Sequence, residues 1–158
     1  MENTMWLRRV MLGVRLFLAL VFIVYGGVKL LGGQYYYGDW VLDKKTVQGP
    51  SLVWAFYGYS PFYGRMTGLF ELLPALMLLS SRTATLGACA LFAVGLNVTV
   101  MDFAFGYPEV KYYILGYTLL CVSLMVYDRK RLLLLVRRPA EIRALSPAAG
   151  SSPVPTGR

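Results

Sequence analysis

Residues 10–31 read VMLGVRLFLALVFIVYGGVKLL, and Arg15 and Lys29 are the only charged side chains among them. At a rise of about 1.5 Å per residue, this run is long enough to cross a hydrocarbon layer of about 30 Å. A backbone exposed to lipid must satisfy its own hydrogen bonds, so the expected form is a helix. A β-barrel would need strands of about ten residues with alternating polarity, and the run is continuous. Three further stretches repeat the pattern at 62–79, 83–104 and 110–127. The predicted fold class is all-α, an integral membrane four-helix bundle. One membrane domain covers 1–138, and a tail covers 139–158.

Composition agrees. Of the 158 residues, 57% are hydrophobic and 15% are charged, against about 25% charged in an ordinary soluble domain. The mean hydropathy is +0.54. A soluble domain could not hide that much apolar surface. The chain has no histidine, which excludes bis-histidine haem ligation, Ser-His-Asp hydrolysis and histidine-based zinc catalysis within it. Its two cysteines, Cys89 and Cys121, lie in separate apolar runs. They are read as small apolar fillers, and a disulfide framework or CxxC pair is excluded. No metal-ligand spacing and no phosphate-binding glycine loop is present.

The basic residues sort by loop. Arg8 and Arg9 precede the first run, Arg82 sits between the second and third, and Arg129, Lys130, Arg131, Arg137, Arg138 and Arg143 follow the fourth. With four spans these places share one side. The opposite loops set Lys44, Lys45 and Lys111 against Asp39, Asp43 and Glu109. The positive-inside rule then predicts an N-in/C-in topology with both termini cytoplasmic; the membrane expected is a bacterial cytoplasmic (inner) membrane. The net charge of +8 is mostly this signal, and no nucleic-acid partner is expected. A cleaved signal peptide would need a shorter apolar run and an A-x-A site.

Between the first two runs lies the segment 32–60, crowded with Tyr35, Tyr36, Tyr37, Trp40, Trp54, Phe56, Tyr57 and Tyr59. It reads as an interfacial aromatic belt, the alternative being a lid over a cavity at the outer face. Leu52 to Tyr57 suggests a short helix lying on the membrane. Leu132 to Val136 reads as an interfacial extension of the last helix. The tail 139–158, rich in Pro, Ala, Ser and Gly, predicts a disordered cytoplasmic segment.

Ionisable groups inside the spans carry the functional reading. Arg15, Ala19, Phe22, Gly26 and Lys29 fall on one helical face; Gly64, Gly68, Glu71 and Ala75 fall on another. Each helix thus offers a seam of small residues with charge in it, suited to close approach. Glu71 is near mid-span, where a lone carboxylate must be paired, hydrated or protonated. Counting rises places Arg15 roughly 9 Å below it and Lys29 about 12 Å above. Asn97 lies at a similar depth on the third span. Asp102 lies on a different face at the outer boundary, level with Lys29 and near Arg65. Lys29 and Arg65 there are read as snorkelling. Arg15, Lys29, Glu71, Asn97 and Asp102 form the candidate polar network or ligand site. Its structural reading is a network of Arg15, Glu71 and Asn97 that fixes helix register.

The stretch from Arg15 through Gly26-Gly27-Val28-Lys29-Leu30 resembles the first span of the DoxX-like membrane proteins. Gly68-Leu-Phe-Glu71-Leu with Arg82-Thr-Ala-Thr-Leu-Gly, Leu96-Asn97-Val, Asp102-Phe and Tyr107-Pro-Glu-Val-Lys111 are similar to its later segments. The likeness covers about residues 10 to 135. The chain departs from the pattern at Pro74 and Asp102, where a glycine and an asparagine are expected. The resemblance implies a four-helix membrane bundle; some members accompany thiosulfate:quinone oxidoreductases or membrane redox assemblies, and many have no assigned activity. More distant members act as assembly chaperones. The expected function is therefore an oxidoreductase subunit or partner with a quinone-adjacent pocket lined by Arg15, Glu71 and Asn97. It is not expected to be a self-contained enzyme, since no cofactor ligand lies within the chain. The alternatives are a non-catalytic assembly factor for other membrane proteins and a small lipid-handling carrier. The partners expected are the lipid bilayer and a membrane or membrane-associated protein.

Overall fold

The computed structural model describes residues 2–136. The expected tail 139–158, with Arg137, Arg138 and Arg143, lies outside the described residues. The elements in order are α1 (Glu2–Leu30), α2 (Gly49–Gly58), α3 (Pro61–Leu79), α4 (Ala84–Ala104), α5 (Val110–Tyr127) and α6 (Arg129–Val136). No strand occurs among the described residues. Four helices are long and apolar enough to cross a membrane: Met5–Leu30, Pro61–Leu79, Ala84–Ala104 and Val110–Tyr127. They mark the chain as a membrane protein and match the four runs to within a residue or two, except at the start of α1. There the helix continues through the polar N-terminal residues, because helical geometry does not stop where hydropathy does.

The chain up to Asp128 is one compact unit, and α6 belongs to a second. Asp128 ends α5 and accepts a 2.9 Å hydrogen bond from the Thr85 hydroxyl of α4. α6 opens on Arg129, Lys130 and Arg131, all exposed.

Within the bundle the α1–α3 interface is the most extensive, followed by α4–α5 and α3–α4, with a smaller contact between α1 and α5. The core cluster draws on all four: Leu18 and Phe22 of α1, Leu78 of α3, Leu91 of α4, and Cys121 and Leu124 of α5. Lipid is as apolar as leucine, so association rests on close packing and polar contacts. Hence the small residues at the crossings. A Cβ added at Gly26 would lie 2.7 Å from the Gly68 carbonyl oxygen, and one at Gly68 would lie 2.6 Å from that of Gly26. At the next crossing a Cβ on Gly87 would meet the Pro74 carbonyl oxygen at 2.8 Å. Pro74 is tolerated inside α3 because neighbouring helices and local adjustment compensate for its missing N–H in a membrane bundle. Between α4 and α5 the Thr99 and Thr118 hydroxyls meet at 3.1 Å while donating to Gly95 and Ile114 carbonyls of their own helices. The opposite faces carry exposed Leu16, Leu20, Leu73, Leu76, Val100 and Leu119, which suits contact with the bilayer.

At the end of the bundle that carries the 31–60 segment, α1 and α4 stop in the same way. Gly32 has φ +81 and Gly106 has φ +73. The Gly33 N–H donates to the Val28 carbonyl and the Gly32 N–H to that of Lys29, both at 2.9 Å. The Tyr107 N–H donates to the Asp102 carbonyl at 3.0 Å. These are Schellman-type endings, which glycine makes easy because it adopts positive φ freely. They turn the chain back over the bundle at the point where the polar residues gather. The loop's short helix, expected near Leu52 to Tyr57, is α2. It packs on α3 with Val53, Ala55 and Gly58 buried.

Candidate functional site

The charged seam of α1 meets that of α3 at the Gly26–Gly68 crossing, and the Lys29 ammonium donates to Glu71 Oε1 in a buried ion pair. This corrects two expectations. Lys29 does not snorkel; it is 7% exposed and Glu71 4%. Nor is Arg15 the partner of Glu71. Height alone did not choose between the two basic residues; side-chain direction does. Helical side chains lean toward their own N-terminus. In antiparallel α1 and α3, Lys29 therefore leans down toward Glu71 and Glu71 leans up toward Lys29, while Arg15 leans away. Arg15 is half-buried, and its Nε has no hydrogen-bond partner.

Around this pair is a cavity of about 950 Å³, at the upper end of the range for small-molecule sites. Its walls are apolar and aromatic, and its polar residues include Lys29, Glu71, Thr67, Asn97 and Asp102. Asp102 is 3% exposed, so its position at the helix boundary does not put it in solvent. It is near enough to Lys29 to interact with it electrostatically. One oxygen of each carboxylate, Glu71 Oε2 and Asp102 Oδ2, is buried without a hydrogen-bond partner. Asn97 lines the cavity from an exposed position. Of the five candidate residues, four meet at the cavity. Arg15 does not line it, and the expected Arg15–Glu71–Asn97 lining is replaced by Lys29, Glu71, Asn97 and Asp102.

The loop supplies the cover. Tyr35 stacks on Tyr57 with ring centroids 5.2 Å apart, Tyr57 stacks on Tyr63 at 5.8 Å, and Trp54 meets Tyr35 edge-on at 5.6 Å. All four rings line the cavity; Tyr63 belongs to α3, and for the three from the 32–60 segment the lid reading describes the geometry. Burial, ahead of the nearby carboxylates, raises the pKa of the Tyr35 and Tyr57 phenols. Burial together with Asp102 pushes Tyr107 up to about 12. These phenols stay neutral near the carboxylates and offer O–H groups. Thr67 lacked any sequence signal of its own, and Tyr107 stood only at the start of the Tyr107-Pro-Glu-Val-Lys111 stretch with no role at a site. For Tyr107 the clue was Gly106, which ends α4 and folds the next residue back over Asp102.

The cavity also has a side opening. Val24, Tyr25 and Val28 of α1 and Val110 and Tyr113 of α5 line it and are exposed. Further along, Tyr117 closes the gap between these helices by edge-on contacts to Phe17 and Phe22, with centroids 5.9 and 6.1 Å away.

In comparisons with known proteins, no family model matches the chain, and no solved structure matches it. It is 31% identical over 126 residues to the uncharacterized protein YwoB of Bacillus subtilis (strain 168), covering 78% of this chain and 80% of that protein.

Proposed function

The chain belongs to the same family as YwoB, and we propose that it is a membrane-embedded binding subunit of a quinone-linked redox assembly. The observation that carries this reading is the cavity: a large, aromatic-lined space with a polar end and a side opening between two spans. A quinone has the matching parts, a flat ring that stacks on aromatic side chains, polar oxygens at its edge and a greasy tail. Trp54, Tyr57 and Tyr25 supply ring faces and edges. At the polar end Glu71 and Asp102 supply acceptors, with Lys29 donating to Glu71 and the Tyr35, Tyr57 and Tyr107 phenols lining the space around them. A bound quinone would bring two-electron redox chemistry; the chain's own residues would hold and orient it and keep water from its ring. The resemblance to DoxX-like proteins supports the same assembly.

The proposal includes an orientation. The arginine-rich ends face the cytoplasm and the lid faces outward, from the distribution of basic residues, and the Bacillus relative supports a bacterial cytoplasmic membrane. The test uses Trp54, the one tryptophan lining the cavity. A short-tailed quinone added to the purified protein in detergent should quench tryptophan fluorescence saturably, and Trp54→Phe should remove most of that quenching. Linear, unsaturable quenching that is the same in Trp54→Phe contradicts the proposal.

A second reading, a protein partner within the membrane, is favoured by Arg15. Its guanidinium lies away from the cavity, half-buried in an apolar helix, with Nε unpartnered. A carboxylate on a neighbouring chain would complete it. Co-purified membrane proteins should be lost on Arg15→Leu and kept on Arg15→Lys.

A further inference from the structure

We infer that the polar end of the cavity recognises a hydrogen-bond-donating head group, and that among quinone-class ligands it binds the reduced quinol in preference to the quinone. This rests on the proposed quinone site and specifies the form that the site holds. The argument starts from a count of donors and acceptors. Lys29 is buried and already donates to Glu71 Oε1. Glu71 Oε2 and Asp102 Oδ2 are both buried, both line the cavity, and both lack a partner. The buried cluster sets the carboxyl groups of Glu71 and Asp102 against a single amine, that of Lys29. A buried acceptor left without a donor is costly, and neither carboxylate has a second cation among the cavity-lining residues.

No protein donor is hydrogen-bonded to Glu71 Oε2 or Asp102 Oδ2 in this structure. The Thr67 hydroxyl donates to the Gly64 carbonyl at 2.7 Å, the Tyr57 hydroxyl points to Met101 Sδ at 3.5 Å, and the Tyr107 hydroxyl points to the Pro50 carbonyl at 3.4 Å. What the cluster lacks is donors. An oxidised quinone offers two carbonyl oxygens, which are acceptors and would meet carboxylate oxygens unfavourably. A quinol offers two O–H donors on the same ring. Hydrogen bonds to a charged acceptor are the strong kind, and failing to match such a site costs more than an ordinary contact gains.

The test is calorimetric titration of the purified protein in detergent. A short-tailed quinol, kept reduced under anaerobic conditions, is compared with the same molecule as quinone. The quinol should bind at least about tenfold more tightly, the scale of one hydrogen bond to a charged group. Asp102→Asn, which turns a carboxylate oxygen into an N–H donor, should bring the ratio close to one by strengthening quinone binding. Quinone binding as tight as quinol, or tighter, overturns the inference and leaves the cavity reading standing. A ratio unchanged in Asp102→Asn also overturns it, because the preference then arises elsewhere. If neither form binds, the proposed quinone site itself fails. Should Asp102→Asn not fold, the ratio in the unaltered protein decides alone.

Discussion

Replacing Glu71 with glutamine removes the negative half of a buried pair and leaves its partner in place. Lys29 is then an ammonium 7% exposed, with no carboxylate on it. Removing one partner of a buried pair costs about 3–5 kcal/mol. At about 2–4 °C per kcal/mol for a chain of this size, the melting temperature in detergent should fall by about 6–20 °C. Lys29→Met removes the other half of the pair and should destabilise on the same scale. The double change Lys29→Met with Glu71→Leu should recover most of the loss, since apolar groups of similar volume often replace a buried pair at little cost. Thermal unfolding of the four proteins gives the coupling. Arg15→Gln is the control, and it should add independently to Glu71→Gln. A Glu71→Gln loss below about 0.5 kcal/mol, or coupling to Arg15 in place of Lys29, would refute the pairing.

Gly26→Ala and Gly68→Ala each drive a methyl group into the backbone of the facing helix. Each should destabilise by about 1–3 kcal/mol and weaken ligand binding, because the crossing also positions Lys29 over Glu71; unchanged melting would show that the helices do not approach so closely. Gly106→Ala meets nothing within 4 Å and strains only φ, so its loss should be about 1–2 kcal/mol, read in the same melts. On alkaline titration, the raised phenols of Tyr35, Tyr57 and Tyr107 keep their protons in the folded state after the unfolded chain has lost them. Stability should therefore fall as pH rises from about 10 toward 12. Phenolate absorbance should show a late phase, whereas all 12 tyrosines ionising in one step near pH 10 would contradict it. Reporter fusions after Arg82 should read cytoplasmic and fusions within 34–48 external; the opposite pattern overturns the orientation.

The helices were legible because hydropathy and length are properties of single segments. The runs 62–79, 83–104 and 110–127 end within about a residue of α3, α4 and α5. The seams were legible too, since Gly26, Lys29, Gly68 and Glu71 repeat at helical spacing. What the sequence left open was which partner Glu71 takes. That depends on the lean of side chains in antiparallel helices, and axial height alone leaves Arg15 and Lys29 comparable. Asp102 looked like a boundary residue because depth along a helix says nothing about what folds over its end. The aromatic segment had two readings for a similar reason: Tyr35, Trp54 and Tyr57 have the composition of a belt, and only α2 packed on α3 brings their rings over the cavity.

The central claim is that the space between α1, α3, α4 and α5 holds a quinone-class molecule. Photoaffinity labelling tests it most directly: a photoreactive short-tailed quinone is irradiated with the protein in detergent, and the labelled residues are mapped by peptide mass spectrometry. The account expects label at cavity positions such as Tyr25, Trp54, Tyr57 and Tyr113, lost when excess unmodified quinone competes. Label spread over exposed Leu76, Leu86 and Val126, with no loss under competition, would contradict it.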